Sequence, residues 1–411
     1  MAANRAKDFL NCTLRSGLVS DEQLRAELQQ LQQQDPPALD QPERIAAHLV
    51  SRGLLTSWQS QQLLNGRYRG FTLGNYRLRA PLGSGGMSMV YVGEHLRMQR
   101  EVAIKILPKS KLDNPAYLDQ FLVEARAAAA LSHPHIVRAY DFDRDGDTHF
   151  LVMERLHGLT LHQIVRRQHP LPLTDIVNYA QQAAEGLAYA HEQGLVHRDI
   201  KPANLMVTDD GQLKILDMGL AHWSQSADDA AADAARPKTV VGTADFLAPE
   251  QSLDSQNVDG RADVYSLGCT LYFMLTASPP YPAGTLAEKI RQHRTAEPPS
   301  LHRGRPDCPT PLAKLCREMM AKAPAERTGT MRQVVDRLAR LEFIGLPAGV
   351  VDTEFAPDPT KPPIPLTRSR NARVRSTRRR PLPWWFWFAL IVLIAVASWL
   401  FYQVQRQGLA F

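Results

Sequence analysis

The stretch Leu195-Val-His-Arg-Asp199-Ile-Lys201-Pro-Ala-Asn204-Leu-Met-Val-Thr-Asp-Asp-Gly211-Gln-Leu-Lys-Ile-Leu-Asp217-Met-Gly219 decides the fold. Apolar runs from Leu205 to Val207 and from Leu213 to Leu216 flank Thr208-Asp209-Asp210-Gly211. Asp-Gly between apolar runs signals a β-hairpin, because these residues accept the backbone angles of a tight turn. Such a hairpin brings Asn204 and Asp217 together, with Asp199 on the loop before them. Hard oxygen ligands converging on one point are what Mg²⁺ requires when it holds phosphate oxygens.

His197-Arg198-Asp199-Ile200-Lys201-Pro202-Ala203-Asn204, followed by Asp217-Met218-Gly219, resembles the catalytic loop and metal motif of the eukaryotic-type (Hanks-type) serine/threonine protein kinases. Lys201, just past Asp199, is similar to the serine/threonine type rather than the tyrosine type. The resemblance implies that Asp199 orients a substrate hydroxyl and accepts its proton, while Lys201 neutralises charge on the transferring phosphoryl group. It also implies that Asn204 and Asp217 hold Mg²⁺, with Mn²⁺ as the alternative ion. Fixed charges of this kind carry most of the rate.

Upstream, Tyr76-Arg-Leu78-Arg-Ala80-Pro-Leu82 alternates as a strand and runs into Gly83-Ser84-Gly85-Gly86-Met87-Ser88-Met89-Val90. Glycines there let the backbone approach phosphates with its N–H groups pointing at oxygens. The run resembles the kinase glycine-rich loop, with Ser88 where a third glycine is common. Glu101-Val102-Ala103-Ile104-Lys105-Ile106-Leu107 is a β-rich run in which Lys105 faces away from its apolar neighbours. It is similar to the lysine that contacts the α- and β-phosphates.

That lysine needs a carboxylate to hold it. Asn114-Pro115 starts a helix, and Phe121, Glu124, Ala128 and Leu131 share one face of it, so Glu124 is the expected partner. Phe150 to Glu154 reads as a buried strand leading into the hinge Arg155-Leu156-His157-Gly158. By resemblance, backbone groups of Glu154 and Leu156 bond adenine and Met153 limits the pocket behind it. The implied ATP contacts also include Leu82, Gly83, Ser84, Gly85, Gly86, Met87, Ser88, Val90, Ala103, Lys105 and Met206.

Between Asp217 and Ala248-Pro249-Glu250, the small, polar and acidic run after Ser224 cannot bury much surface and reads as a mobile activation segment. Arg198 is the family's docking cation for a phosphorylated segment, which makes Thr239 the expected phosphosite. Thr243 is expected to bond Asp199 and Lys201. Asp263, Val264, Leu267, Leu271 and Met274 give a helix with one strong apolar face, and Arg327 matches the position that pairs with Glu250.

Residues 8–65 contain an echo at an offset of 36: Leu14-Arg-Ser-Gly17-Leu18-Val19-Ser20-Asp-Glu-Gln23 against Val50-Ser-Arg-Gly53-Leu54-Leu55-Thr56-Ser-Trp-Gln59. In each copy a helix should end at the glycine and another start at Ser20 or Thr56, whose hydroxyls accept an orphan backbone N–H. The product is a pair of helical hairpins. Two readings stay open: a small domain packed on itself, or an adaptor that docks a partner or regulates its neighbour through residues 8–65.

Residues 343–383 are rich in proline and then arginine, with seven arginines from Arg368 to Arg380, and read as an extended linker. The nineteen residues from Trp384 to Tyr402 carry no formal charge. At about 1.5 Å each they reach roughly 28 Å, near the ~30 Å of a bilayer core. Tryptophan and tyrosine at both ends suit the interfaces, and the arginine excess before the span places the preceding residues on the cytoplasmic side. Residues 403–411 would be a short extracytoplasmic tail. The +6 net charge comes from that arginine run, the remainder being near neutral, so nucleic acid is not an expected partner. Four cysteines without Cys-x-x-Cys spacing suggest neither a disulfide framework nor a zinc site.

The expected fold is α+β: a bilobal kinase (73–342) with Mg-ATP between the lobes, a small all-α domain before it (1–72), and a linker and one transmembrane helix (384–402) after it. The expected function is a membrane-anchored, autophosphorylating kinase acting on protein substrates from the cytoplasmic side. The alternative is a pseudokinase scaffold that recruits partners to the membrane. A homodimer stays open.

Overall fold

The computed structural model describes residues 2–85, 88–107, 125–218, 244–253 and 258–341. The chain divides into two units, Met1–Thr353 and Glu354–Phe411, and every described residue lies in the first. The linker and the apolar run 384–402 lie outside the described residues, as do Gly86, Met87, Glu124, Gly219, Thr239 and Thr243. Among the described residues no helix is long and apolar enough to cross a membrane.

The sequence echo is a structural repeat. Helix α1 (Ala2–Ser16) and helix α3 (Pro42–Ser51) are each followed by a glycine in the left-handed region, Gly17 at φ 68° and Gly53 at φ 73°, where a Cβ would be strained. Helix α2 (Asp21–Gln34) and helix α4 (Ser57–Leu64) then start with reciprocal capping boxes, Ser20 with Gln23 and Thr56 with Gln59. Ala38, Ile45, Ala46, Leu49 and Leu63 form the centre of this helical domain.

An antiparallel six-stranded sheet follows, made of β1 (Thr72–Leu73), β2 (Tyr76–Gly85), β3 (Ser88–His95), β4 (Arg100–Ile106), β5 (Ala139–Asp145) and β6 (Thr148–Glu154), in the order β1-β2-β3-β4-β6-β5. Side chains alternate across a strand, so β4 has two characters. Val102 and Ile104 join Leu78, Phe150 and Val152 on one face. Ala103 joins Leu151 and Met153 on the other, where Lys105 also lies, paired in register with Leu151.

The larger lobe is helical and carries a second sheet, β7 (Gly158–Thr160), β8 (Leu205–Thr208) and β9 (Leu213–Ile215). Its main helices include α5 (Leu161–Gln168), α6 (Leu173–Glu192) and α7 (Arg261–Thr276). Helix α7 was expected to bury one face. Instead every residue from Ala262 to Leu275 is buried, because neighbouring elements surround it. The two lobes meet where Val137 N–H donates to Ile215 O and Ile215 N–H to His135 O, both at 2.9 Å, which fixes β9 beneath the small sheet.

Candidate active site

The hairpin read from Asp-Gly exists: Leu205 pairs with Ile215 and Val207 with Leu213, and Leu216 N–H donates to Asn204 O at 2.8 Å. That last bond sets Asp217 beside Asn204. From the small lobe, Lys105 reaches across so that its Nζ lies 2.7 Å from Asp217 Oδ1. Strands from opposite lobes thus meet in one cleft. Burial pushes the Asp217 carboxyl up, but the Lys105 ammonium beside it outweighs this and holds it below the usual carboxylate range.

Asp199 is held by two neighbours of its own loop. Lys201 Nζ donates to both of its oxygens, at 3.0 and 2.8 Å, and Asn204 Nδ2 donates to its Oδ2 and its backbone O, both at 2.9 Å. Its carboxylate therefore lies against Asn204, engaged by N–H donors on both oxygens. The same bonds pin the amide of Asn204, leaving Oδ1 as its acceptor. Asn204 Oδ1 and an Asp217 oxygen are hard donors that fit a cation such as Mg²⁺. Among the described residues no three His, Cys, Asp or Glu side chains group as a metal cage, so such an ion would complete its shell with phosphate oxygens and water.

A buried carboxylate that sequence reasoning placed only on an apolar helix face organises this loop. Asp263 is fully buried on α7 and accepts from the backbone N–H of His197 and Arg198 and from His191 Nε2, each at 2.8 Å. Burial pushes its carboxyl up, yet the bond to His191 and the backbone donors hold it below the usual range. His197 is buried too. Its Nδ1 accepts from Asp199 N–H at 3.1 Å and its Nε2 donates to Leu216 O at 2.8 Å, so one ring ties the Asp199 loop to the strand end carrying Asp217. Arg198 and Asp217 are both in the left-handed region, φ 66° and 56°, a strain concentrated at this site. Gln251 Nε2 donates to Arg198 O at 2.7 Å and helps to hold it. The available signal for Asp263 was a lone carboxylate among apolar residues.

Above the cleft, Val90, Ala103, Met153 and Leu156 gather in one apolar cluster. Side chains of this kind offer apolar surface on which a flat aromatic base could pack. Leu82 is 40 % exposed, and Met206 lies on β8 outside that cluster. The backbones of Gly83, Ser84 and Gly85 pair with Val90, Met89 and Ser88. Glu154, at the hinge, was expected only for its backbone. Its side chain accepts from Lys214 Nζ of β9 at 3.0 Å and from Arg138 N–H at 2.8 Å, a link between lobes not read from the sequence. Arg327 forms the expected two-pronged pair with Glu250 and also donates to the backbone oxygens of Ala321, Arg261 and Lys322.

Residues 76–338 match the protein kinase domain family. The chain is 35 % identical over 270 residues to serine/threonine-protein kinase PknB of Mycolicibacterium smegmatis, covering 65 % of this chain and 43 % of that protein. It is also 35 % identical over 270 residues to a probable serine/threonine-protein kinase of Clostridium acetobutylicum, with 65 % and 40 % covered. The chain thus spans about two fifths of the length of these curated relatives. Among solved structures, the Mycobacterium tuberculosis PknI kinase domain superposes with a TM-score of 0.53 at 28 % identity, covering 66 % of this chain and 97 % of that one.

Proposed function

The chain belongs to the protein kinase domain family, and from that premise we propose that it is a serine/threonine kinase transferring the γ-phosphate of Mg-ATP to protein hydroxyls. One observation carries the proposal: Lys105 of the small lobe and Asp217 of the large lobe meet at 2.7 Å, beside Asn204 and the Asp199–Lys201 pair. Had these groups lined different faces of the molecule, no phosphotransfer could be built from them.

In this reading Asp199 orients the acceptor hydroxyl and takes its proton. Lys201 sits against Asp199 and balances charge that develops on the phosphoryl oxygens. Lys105 positions the α- and β-phosphates, while Asn204 Oδ1 and the Asp217 carboxylate would hold the metal. Mg-ATP, when bound, would supply the phosphoryl group and a divalent charge to offset the charge of its phosphates. The apolar cluster of Val90, Ala103, Met153 and Leu156 would pack against the adenine, with backbone groups of Glu154 and Leu156 at its edge. A scaffold without chemistry has no use for these paired charges in one cleft.

Two finer readings belong to the same proposal and rest on sequence. Residues 384–402 would tether the kinase to a membrane, with the arginines of 368–380 on the cytoplasmic side. Phosphate on Thr239 would dock on Arg198.

The test is transfer of ³²P from γ-labelled ATP, with Mg²⁺, by the full chain to itself and to a serine- and threonine-rich acceptor protein. Transfer should need the metal and vanish with Asp199→Asn. Absence of transfer by the wild-type chain, or transfer indifferent to Asp199→Asn, overturns the proposal.

A further inference from the structure

Helix α4 of the helical domain meets the face of the small sheet turned away from the cleft, with Trp58 packed on its apolar cluster. Leu78 pairs with Gly93 but Ala80 pairs with Val92, so Arg79 is an extra residue on β2. A bulge of this kind takes backbone groups off the ladder. The helical domain meets them: Thr56 Oγ1 donates to Arg79 O at 2.5 Å and Gln59 Nε2 donates to Leu78 O at 2.7 Å. These are also the two capping-box residues of α4, with Gln59 N–H on Thr56 Oγ1 at 3.1 Å and Thr56 N–H on Gln59 Oε1 at 2.9 Å. Between them, Trp58 packs edge-on against Phe71 and tilts against Tyr91 of β3, with ring centroids 5.7 and 5.6 Å away. Past the bulge, β2 slips register again between Pro81 and Gly83 and enters the glycine-rich run.

The first copy of the repeat offers a built-in control. Ser20 and Gln23 form the same box, but both are exposed and, among the described residues, their side chains bond only within that box. Where α4 has Trp58, α2 has the exposed Glu22.

We propose that Thr56, Trp58 and Gln59 are positioning residues for the glycine-rich loop. The helical domain grips the root of β2 from outside the cleft and so sets how tightly the cleft holds nucleotide. A strand hardly stretches, so a backbone fixed at Leu78 and Arg79 constrains Gly83 a few residues on. This rests on reading the cleft as a nucleotide site.

The test uses full-chain variants in detergent. Gln59→Glu keeps the capping box, since a carboxylate accepts the Thr56 N–H as the amide oxygen does, but it removes the donor to Leu78 O. Trp58→Glu installs the residue found at that place in the first copy, and Gln23→Glu is the matched control. Three quantities are read: calorimetric affinity for Mg-ADP, hydrogen exchange at amides 78–83 without nucleotide, and KM for ATP against kcat. Trp58→Glu should weaken ADP binding and raise KM roughly tenfold, and Gln59→Glu roughly threefold, with kcat within about twofold. Both should speed exchange at 78–83, and Gln23→Glu should change nothing.

Unchanged ADP affinity and exchange in Gln59→Glu, an equal effect in Gln23→Glu, or a loss confined to kcat each overturns the proposal. If Trp58→Glu does not fold, Gln59→Glu decides alone. A wild-type chain that binds Mg-ADP without transferring phosphate defeats the kinase reading, and the affinity and exchange measurements still decide this one.

Discussion

Ile104 and Lys105 are neighbours on one strand and belong to two different machines. Ile104 is fully buried on the outer face, among Val102, Phe150 and Val152, with Trp58 of the helical domain packed on the same cluster. Lys105 points into the cleft and meets Asp217. The pleat separates stability from chemistry by a single residue step. If that division is real, substitutions on the two faces should produce opposite kinds of damage.

The largest effect is expected on the cleft face. Lys105→Met keeps the bulk of the stem and removes the charge, so phosphotransfer should fall by about 10²- to 10³-fold, the range seen when one fixed transition-state donor is lost. Unfolding in urea should move by no more than about 1 kcal/mol, because a partly exposed ion pair contributes little. A variant that lost activity only in proportion to its unfolded fraction would erase the distinction between the faces.

The outer face should answer the other way. Ile104→Ala leaves a cavity in a packed core and should cost about 3 kcal/mol of stability, measured by urea denaturation, with turnover per folded molecule preserved. Gly93→Ala probes the same layer from β3. An added Cβ there would sit 2.3 Å from Ile104 Cδ1 and 2.8 Å from its Cγ1, closer than atoms pack, so Ile104 must shift. A cost of about 1 to 2 kcal/mol is expected, again without a specific loss of transfer.

The division between faces was legible in the sequence, because alternation in Glu101 to Leu107 shows which side chains turn away from the apolar ones. The hairpin was legible for a similar reason: Asp210-Gly211 and its flanking runs are local signals. What covers each face was not. Residues 8–65 showed two copies of one motif, and nothing in the motif said that Thr56 and Gln59, but not Ser20 and Gln23, would find partners on β2. Asp263 shows the same limit, since its backbone donors at His197 and Arg198 lie more than sixty positions away. Periodicity reports that a side is buried and leaves its partner unnamed. The sequence likewise left unnamed the donors that hold Asp199, the Lys201 ammonium and the Asn204 amide.

The smallest expected effect is a difference in pH dependence between the faces. The Asp217 carboxyl is held below its ordinary value of about 3.9 in the folded chain, so on acidification the unfolded chain takes the proton first. Stability from the Lys105–Asp217 pair is then complete above that ordinary value and is lost as pH falls through the lower, folded one. With more than a third of the Asp217 side chain open to solvent, screening keeps this contribution small. In Lys105→Met the attraction is gone, so the gap in urea midpoint between this variant and wild type should narrow as pH is lowered from 7 to 3. The Ile104→Ala gap should stay constant over the same range, since no proton is involved in filling that cavity. Parallel gaps for both variants would mean that the ion pair in the cleft is not what holds Asp217 ionised.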